Sequence, residues 1–597
     1  MRAFLLPFSH DEAATFFFYV QSNNYLPYSA HVYTNNHVLN SALANICYHL
    51  FGSHRFILRL PNILAFLILC FGVFKHFKYL KNYASKIMLI SFFLLTYNFL
   101  DFFELCRGYG LSFGLMTLGM AYLLDYFETK KIKYFLFFSI CWQLALVANL
   151  ILVVVLAILF LYIYIFQIKN KTFIHLKTTL INIANLICLI FWIKFSFFYK
   201  EQGRLDYGVG DNYWLVTFKT LILFLFGTEA LGIHLLFIAG FVLISVFLIF
   251  QLLKNKITLT AFFEKQIVYP ILLIGLVIAF YLLKKLVNVN YPEDRTGLFF
   301  YLFFVLSFAF FINTLKPKVA STISLLVLFS SLSFFCFSIN LKNFSSFYYH
   351  TQPKTIYDYL KKEQLNQTEQ FTIGGHRVRE MNFAFLNYRG NSVLNPMDDS
   401  EQMQMNCDYY FALKTEKPYY QLFYDEIMYD EKWSRVLLKR KEKIKHSVFY
   451  KTSNLKIIDE NAEFFELKKI TDTSFVSNNP LEMEIKLTFH EVPKPFHAFL
   501  VFSFNDSISN LNSYKRVPLN WLQDDLNTKS KILKLTSSSL PKKIKDLKVY
   551  IWNIDKQTIK ITINSLTLYQ LHGKGVNVRV PEKYYQLVES ITKKPIL

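Results

Sequence analysis

The chain has 597 residues, 53% of them hydrophobic and 18% aromatic, and a formal net charge of +22. That charge does not mark a nucleic-acid-binding protein: the lysines fall in short loops between apolar runs or are scattered, with no basic stripe alternating with stacking aromatics. Seven cysteines without C-x-x-C spacing, six of them (Cys47, Cys70, Cys106, Cys141, Cys188, Cys336) before residue 340 and Cys407 after it, exclude a disulfide framework or zinc knuckle.

The first predicted element is a short helix begun by SHDEAATFFFYV, in which Ser9 and Glu12 have capping-box spacing. The cap leaves Asp11 without a local role. The rest of the 9–56 stretch suits a pair of amphipathic helices on the bilayer surface. Apolar runs long enough to cross a bilayer follow at about 57–74, 87–103, 109–127, 134–148, 149–167, 180–199, 231–253, 267–287, 297–313 and 321–340. The stretch 134–167 fits one long helix or two short ones, and charge decides between them. With two, all five basic loops (75–86, 130–133, 169–177, 254–265 and 316–318) share the cytoplasmic face.

It follows that segment 1–56, ELCRGYG at 104–110, loops 200–214 and 288–296, and everything after 340 emerge on the other face. Ten crossings place the N-terminus outside, or an eleventh helix lies upstream. Asp101, Glu104 and Arg107 then stand at a membrane boundary, where ionisable groups are site candidates. The bland reading of Glu104 and Arg107 is a helical i,i+3 pair. From 341 to 470 the pattern reads as an extracytoplasmic α/β region, and from 471 to 597 as a β-sandwich domain. In its last strand Ile559, Ile561 and Ile563 alternate and Leu566 and Leu568 change parity, which predicts a bulge at Asn564–Ser565. Trp552 and nearby tyrosines are core aromatics or a sugar-stacking surface.

The DE pair at 11–12, the NNH at 35–37 and FGSHRFILRLPN at 51–62 resemble the GT-C glycosyltransferases that use lipid-phosphate sugars, such as the protein O-mannosyltransferases and the lipid A aminoarabinose transferase. CRGYGL at 106–111 resembles that family's R-x-Y, and YPEDRTGLFFYLFF at 291–304 its later arginine loop. The sequence departs from the family where a first helix would precede the acid pair and where His37 is followed by Val38, not Pro. The resemblance implies a polytopic α-helical membrane domain over 1–340 that moves a sugar from a polyprenyl-phosphate donor to an acceptor glycan, lipid or protein on the extracytoplasmic (periplasmic) face. A phosphate leaving group needs no general acid, so one carboxylate suffices as base, and Asp11 takes that part. By the resemblance Glu12 positions acceptor or metal, Arg107 and Arg295 hold the phosphate, and Tyr109 belongs to the substrate site. His37, with Asn35 and Asn36, either binds sugar hydroxyls or is an ordinary hydrogen-bonded loop histidine, and the C-terminal regions recognise acceptor or shield the site. Asp101 and Glu104 offer ligands for a possible divalent metal ion, although no spacing demands one. A single displacement predicts inversion at the anomeric carbon. The alternatives are a flippase for a lipid-linked glycan and a non-catalytic member with a glycan-binding domain.

Overall fold

The computed structural model describes the chain apart from residues 206–207, 342–343, 345–351, 432, 454–455, 472–477, 494–495, 509, 511, 523–528, 538–539 and 587–597. Asp206 and Tyr207 of the predicted 200–214 loop thus lie outside the described residues. Two compact units result. The first comprises Met1–Leu6, Phe18–Val20 and Asn24–Ser346, and the second Pro7–Phe17, Gln21–Asn23 and Phe347–Leu597.

The first unit is helical, and a helix stands at each predicted crossing. Among the described residues seven helices are by themselves long and apolar enough to cross a membrane, from Arg55–Tyr79 to Pro317–Ser338. This is a multi-pass membrane protein. A further apolar pair, Tyr83–Leu95 and Tyr97–Phe103, is bent by 64° at its junction and forms a broken span or a re-entrant loop. At the bend a distant residue intervenes: the Tyr301 hydroxyl donates to the Phe92 carbonyl at 2.7 Å and lies 2.9 Å from Thr96 Oγ1. It occupies the acceptor that the Thr96 N–H would take in a continuous helix.

The 134–167 stretch forms two helices, Ile132–Ala148 and Leu152–Lys169. The first, with 17 residues, is short for a span. The central helix is Gly108–Thr129, nearly all of it buried. It lies against Arg55–His76 through glycines: a Cβ on Gly72 would stand 2.9 Å from Leu118 N, and one on Gly114 2.7 Å from Ala65 O. Small residues let two helix backbones approach where no water drives association. At the basic end of this pair Asp125 accepts Lys75 and Lys78, each at 3.0 Å. One apolar helix was not expected: Trp214–Phe226, which opens in π turns.

The second unit holds fourteen strands among its described residues: β1 (Ile373–His376), β2 (Asp398–Ser400), β3 (Tyr409–Leu413), β4 (Tyr424–Asp430), β5 (Arg435–Arg440), β6 (Lys445–Thr452), β7 (Lys456–Glu460), β8 (Phe464–Thr471), β9 (Leu481–Glu491), β10 (Ala498–Asp506), β11 (Asn512–Pro518), β12 (Ser530–Thr536), β13 (Ile544–Asn553) and β14 (Ile559–His572). The first five make a mixed sheet of order β2-β1-β3-β5-β4, with β1 parallel to both neighbours. Helices Lys354–Leu365 and Met381–Arg389 cover one face through a core that includes Ile356, Phe383, Phe411 and Leu437. Two further sheets, β11-β10-β13-β8 and β12-β9-β14-β6 with β7 on β14, enclose the largest core of this unit. Strands β6 to β8, which the sequence pattern groups with the α/β stretch, pair into these sandwich sheets. The bulge falls where parity changes, with the β14–β9 register slipping between Ile563 and Ser565.

Burial and the neighbouring Asp399 carboxylate raise Glu380, in this unit, to about 7, against the pull of Lys515. Its folded pKa exceeds its unfolded one, so the proton it binds stabilises the fold at low pH. That contribution is lost as pH rises from the ordinary carboxylate value to about 7. Thermal unfolding of wild type therefore shows a midpoint falling between pH 5 and 8, and Glu380→Gln flattens that dependence.

Candidate functional site

In the first unit three predicted residues converge. Arg107 caps the N-terminus of helix Gly108–Thr129 in an extended conformation, and Tyr109 lies in its first turn. Arg295 comes from the 3₁₀ turn Asp294–Gly297 that enters helix Leu298–Ile312. Arg295 Nε donates to Tyr109 Oη at 3.2 Å, and the guanidinium carbons of Arg107 and Arg295 stand 5.7 and 5.9 Å from the Tyr109 ring centre. All three side chains are buried. Two guanidiniums around one phenol ring concentrate positive charge, with ten N–H donors between them, in a form suited to phosphate oxygens.

His37 completes the cluster. Its ring meets Tyr109 edge-on at 4.7 Å, and Nδ1–H donates to the Ala148 carbonyl at 2.8 Å. Gly108 makes room for this contact, because a Cβ there would stand 2.0 Å from Ala148 O and 2.8 Å from the His37 ring. Asn36 turns inward to its own loop, donating to Tyr25 O at 3.0 Å and accepting from Ser41 Oγ at 3.2 Å.

Asp101 and Glu104 do not join the Arg107 cluster. Both carboxylates pair with Arg2, Asp101 through Nη2 and Glu104 through Nε at 2.7 Å, while Nη1 donates to Asn340 O. Residues 104–107 form a bend, not a helix, so the i,i+3 Glu104–Arg107 geometry does not arise. A divalent cation at this carboxylate pair would have to displace a guanidinium, so the donor set does not fit the metal reading. Among the described residues no group of three His, Cys, Asp or Glu side chains could hold a metal ion.

The RLPN stretch is explained by contacts that sequence reasoning did not assign. Arg59, fully buried, donates to the Ala3 and Leu6 carbonyls at 2.9 and 3.0 Å, which fastens the segment bearing Arg2. Asn62 accepts from Leu111 N at 2.9 Å and donates to Asn40 at 2.6 Å. It thereby ties the first turn of helix Gly108–Thr129 to helix Arg55–His76. No sequence signal reveals these pairings beyond the presence of polar residues in an apolar helix.

The same unit encloses an apolar cavity of about 370 Å³. Trp214, Phe218, Leu225, Phe237, Leu273 and Phe300 are among the residues that line it. It shares elements with the arginine cluster: Thr220 Oγ1 accepts from Asp294 N at 2.9 Å, and Phe102 contacts both Tyr109 (5.3 Å) and Phe224 (5.0 Å). Loops 200–214 and 288–296 are joined by Gly208 N–H donating to Glu293 Oε2 at 2.8 Å.

Asp11 and Glu12 belong to the second unit. The capping box is complete, with Glu12 N donating to Ser9 Oγ at 3.3 Å and Ser9 N to Glu12 Oε2 at 2.9 Å. Asp11 is partly exposed in the first turn of helix His10–Thr15, where the helix N-terminus favours a carboxylate. Phe8 stacks on Phe385 at 4.1 Å and Phe17 on Trp521 at 4.9 Å, which holds this helix to its unit.

No protein-family model matches the chain, and no curated protein matches it in sequence. Solved structures to which it is similar include ArnT from Cupriavidus metallidurans in the apo state, at 9% identity and a TM-score of 0.35, over 73% of this chain and 94% of that one. The same protein bound to undecaprenyl phosphate is similar at 10% identity and a TM-score of 0.34, over 73% and 95%. Arabinosyltransferase EmbB from Mycobacterium smegmatis is similar at 10% identity and a TM-score of 0.31, over 96% of this chain and 63% of that one.

Proposed function

We propose that this chain is a membrane glycosyltransferase that takes a sugar from a polyprenyl-phosphate donor and transfers it to an acceptor hydroxyl on the extracytoplasmic, periplasmic face. The observation that carries this reading is the pairing of two environments in one helical unit. The Arg107–Tyr109–Arg295 cluster suits a phosphate, and the apolar cavity, lined in part by Phe300 on the helix that the Arg295 turn enters, suits an isoprenoid chain.

In this reading Asp11 takes the proton from the acceptor hydroxyl as its oxygen bonds to the anomeric carbon. The bond from that carbon to the phosphate oxygen breaks, and the electron pair leaves with the polyprenyl phosphate. Arg107 and Arg295 stabilise the charge that develops there, and the anomeric configuration inverts. Glu12 holds the helix start that presents Asp11, and His37 fixes the Tyr109 ring. The regions 341–470 and 471–597 share the extracytoplasmic compartment and serve acceptor recognition.

Binding of a polyprenyl phosphate to the detergent-solubilised protein tests the donor site. Arg295→Ala weakens it about 10- to 100-fold, the worth of a hydrogen bond to a charged group. The corresponding polyprenol, which lacks phosphate, binds wild type and variant alike. Equal affinity of the variant for polyprenyl phosphate would remove Arg295 from the site.

A further inference from the structure

The sandwich carries an aromatic surface that the proposed reaction does not use. Trp552 is absent from the sandwich core. Along β13 buried and half-buried positions alternate from Asp546 on, with Trp552 on the half-buried side; Phe499 of β10 is also half-buried, while Val501, next on its side of β10, is buried. The register places Phe499 opposite Trp552 and Trp552 opposite Phe464, so three rings form one row across β10, β13 and β8. Phe464 and Trp552 lie 6.0 Å apart with planes within 12° of parallel, and Phe499 lies 5.7 Å from Trp552. Phe464 is 56% exposed. A contiguous row of one exposed and two half-buried rings differs from a lone surface ring and marks a binding surface.

The next row has polar groups of both signs. Glu466 pairs with Tyr550, Tyr550 with Val501, and Val501 with Arg516, whose guanidinium reaches back to 4.8 Å from the Phe499 ring. Lys548 and Asp546 continue the same face of β13. The Trp552 indole N–H is buried without an acceptor among the described residues.

We propose that this face of the sandwich binds a neutral glycan chain. The apolar C–H face of a sugar ring lies flat on an aromatic ring. The rings follow one another at 5.7 and 6.0 Å, close to the length of one sugar residue in an extended glycan, so each ring of the row meets one residue. Each sugar hydroxyl both donates and accepts, which matches a rim carrying Arg516, Lys548 and Glu466 together. Glu466 and Asp546 interrupt the cations and disfavour a nucleic acid, and the charged rim disfavours a second copy of the chain.

This site belongs to the second unit, and its test reads binding, not turnover, so it stands or falls apart from the donor site. The full-length protein in detergent is applied to an array of immobilised neutral oligosaccharides of hexoses and pentoses. Wild type binds at least one of them saturably. Trp552→Ala and Phe499→Ala each weaken that binding about tenfold or more, Trp552→Phe retains most of it, and Arg295→Ala leaves it unchanged. The exposed-residue variant Arg516→Ala, which does not disturb the core, lowers it independently of any folding loss. Absence of binding to every oligosaccharide overturns the proposal, as does glycan binding unaffected by the loss of Trp552 in a folded variant. So does Trp552-dependent binding of a single-stranded oligonucleotide, or Trp552-dependent self-association, in place of glycan binding.

Discussion

Replacing Asp11 by Asn lowers sugar transfer about 10²- to 10⁴-fold, the contribution of a positioned general base, while polyprenyl-phosphate binding stays within a factor of two or so of wild type. The substitution keeps the size of the side chain and its place in helix His10–Thr15. The capping box, made by Ser9 and Glu12, is untouched, so the loss reads as chemistry, not folding. A single-turnover assay with radiolabelled polyprenyl-phosphate sugar separates the two quantities. A flippase would be indifferent to the change, and a non-catalytic binding protein would show no turnover in either form. Unchanged transfer by Asp11→Asn removes Asp11 from the reaction.

The second large effect is structural. Arg2→Ala leaves Asp101 and Glu104 without the guanidinium that pairs with both, and Asp101 is almost wholly buried. Breaking a buried ion pair from one side costs about 3–5 kcal/mol, enough to lower the thermal unfolding midpoint in detergent by several degrees. The remedy is specific: adding Asp101→Asn and Glu104→Gln to Arg2→Ala recovers most of the loss, since it removes the charges left behind. The pH dependence has a definite sign. Burial holds the Glu104 carboxyl above its ordinary value although Arg2 pulls it down. Its proton is bound more tightly in the folded chain than in the unfolded one, so its contribution to stability is present in acid and lost as pH rises through the folded value. The deficit of Arg2→Ala is therefore smallest in acid, where the carboxyls are neutral, and grows towards neutral pH. A deficit independent of pH would show that the carboxylates are not its source.

What could be read along the chain was local or periodic. The Ser9–Glu12 cap spans three residues, and its geometry follows from spacing alone. The bulge in β14 shows as a change of parity, because strand side chains alternate with period two. The break near residue 150 follows from where lysines can reside relative to a bilayer. The kink at Thr96 could not be read so, since it depends on Tyr301, 205 residues away. Nor could the carboxylates at 101 and 104 be assigned to Arg2, 99 and 102 residues away. Without that partner two acids at a membrane boundary resemble metal ligands. The helix Trp214–Phe226 escaped notice because its apolar run is too short for a span, yet it forms a wall of the cavity.

By itself the amino-acid sequence determined that this is a multi-pass membrane protein with a β-rich C-terminal region, because hydropathy and side-chain period report how each segment meets its solvent. Only the tertiary structure decided which charges serve which partner. It brought Arg107 and Arg295 to Tyr109, gave Asp101 and Glu104 to Arg2, and set Trp552 on a sheet face outside the core. The reason is physical: a buried charge must find a counterpart at contact distance, and chain folding, not sequence separation, sets which counterparts are within reach.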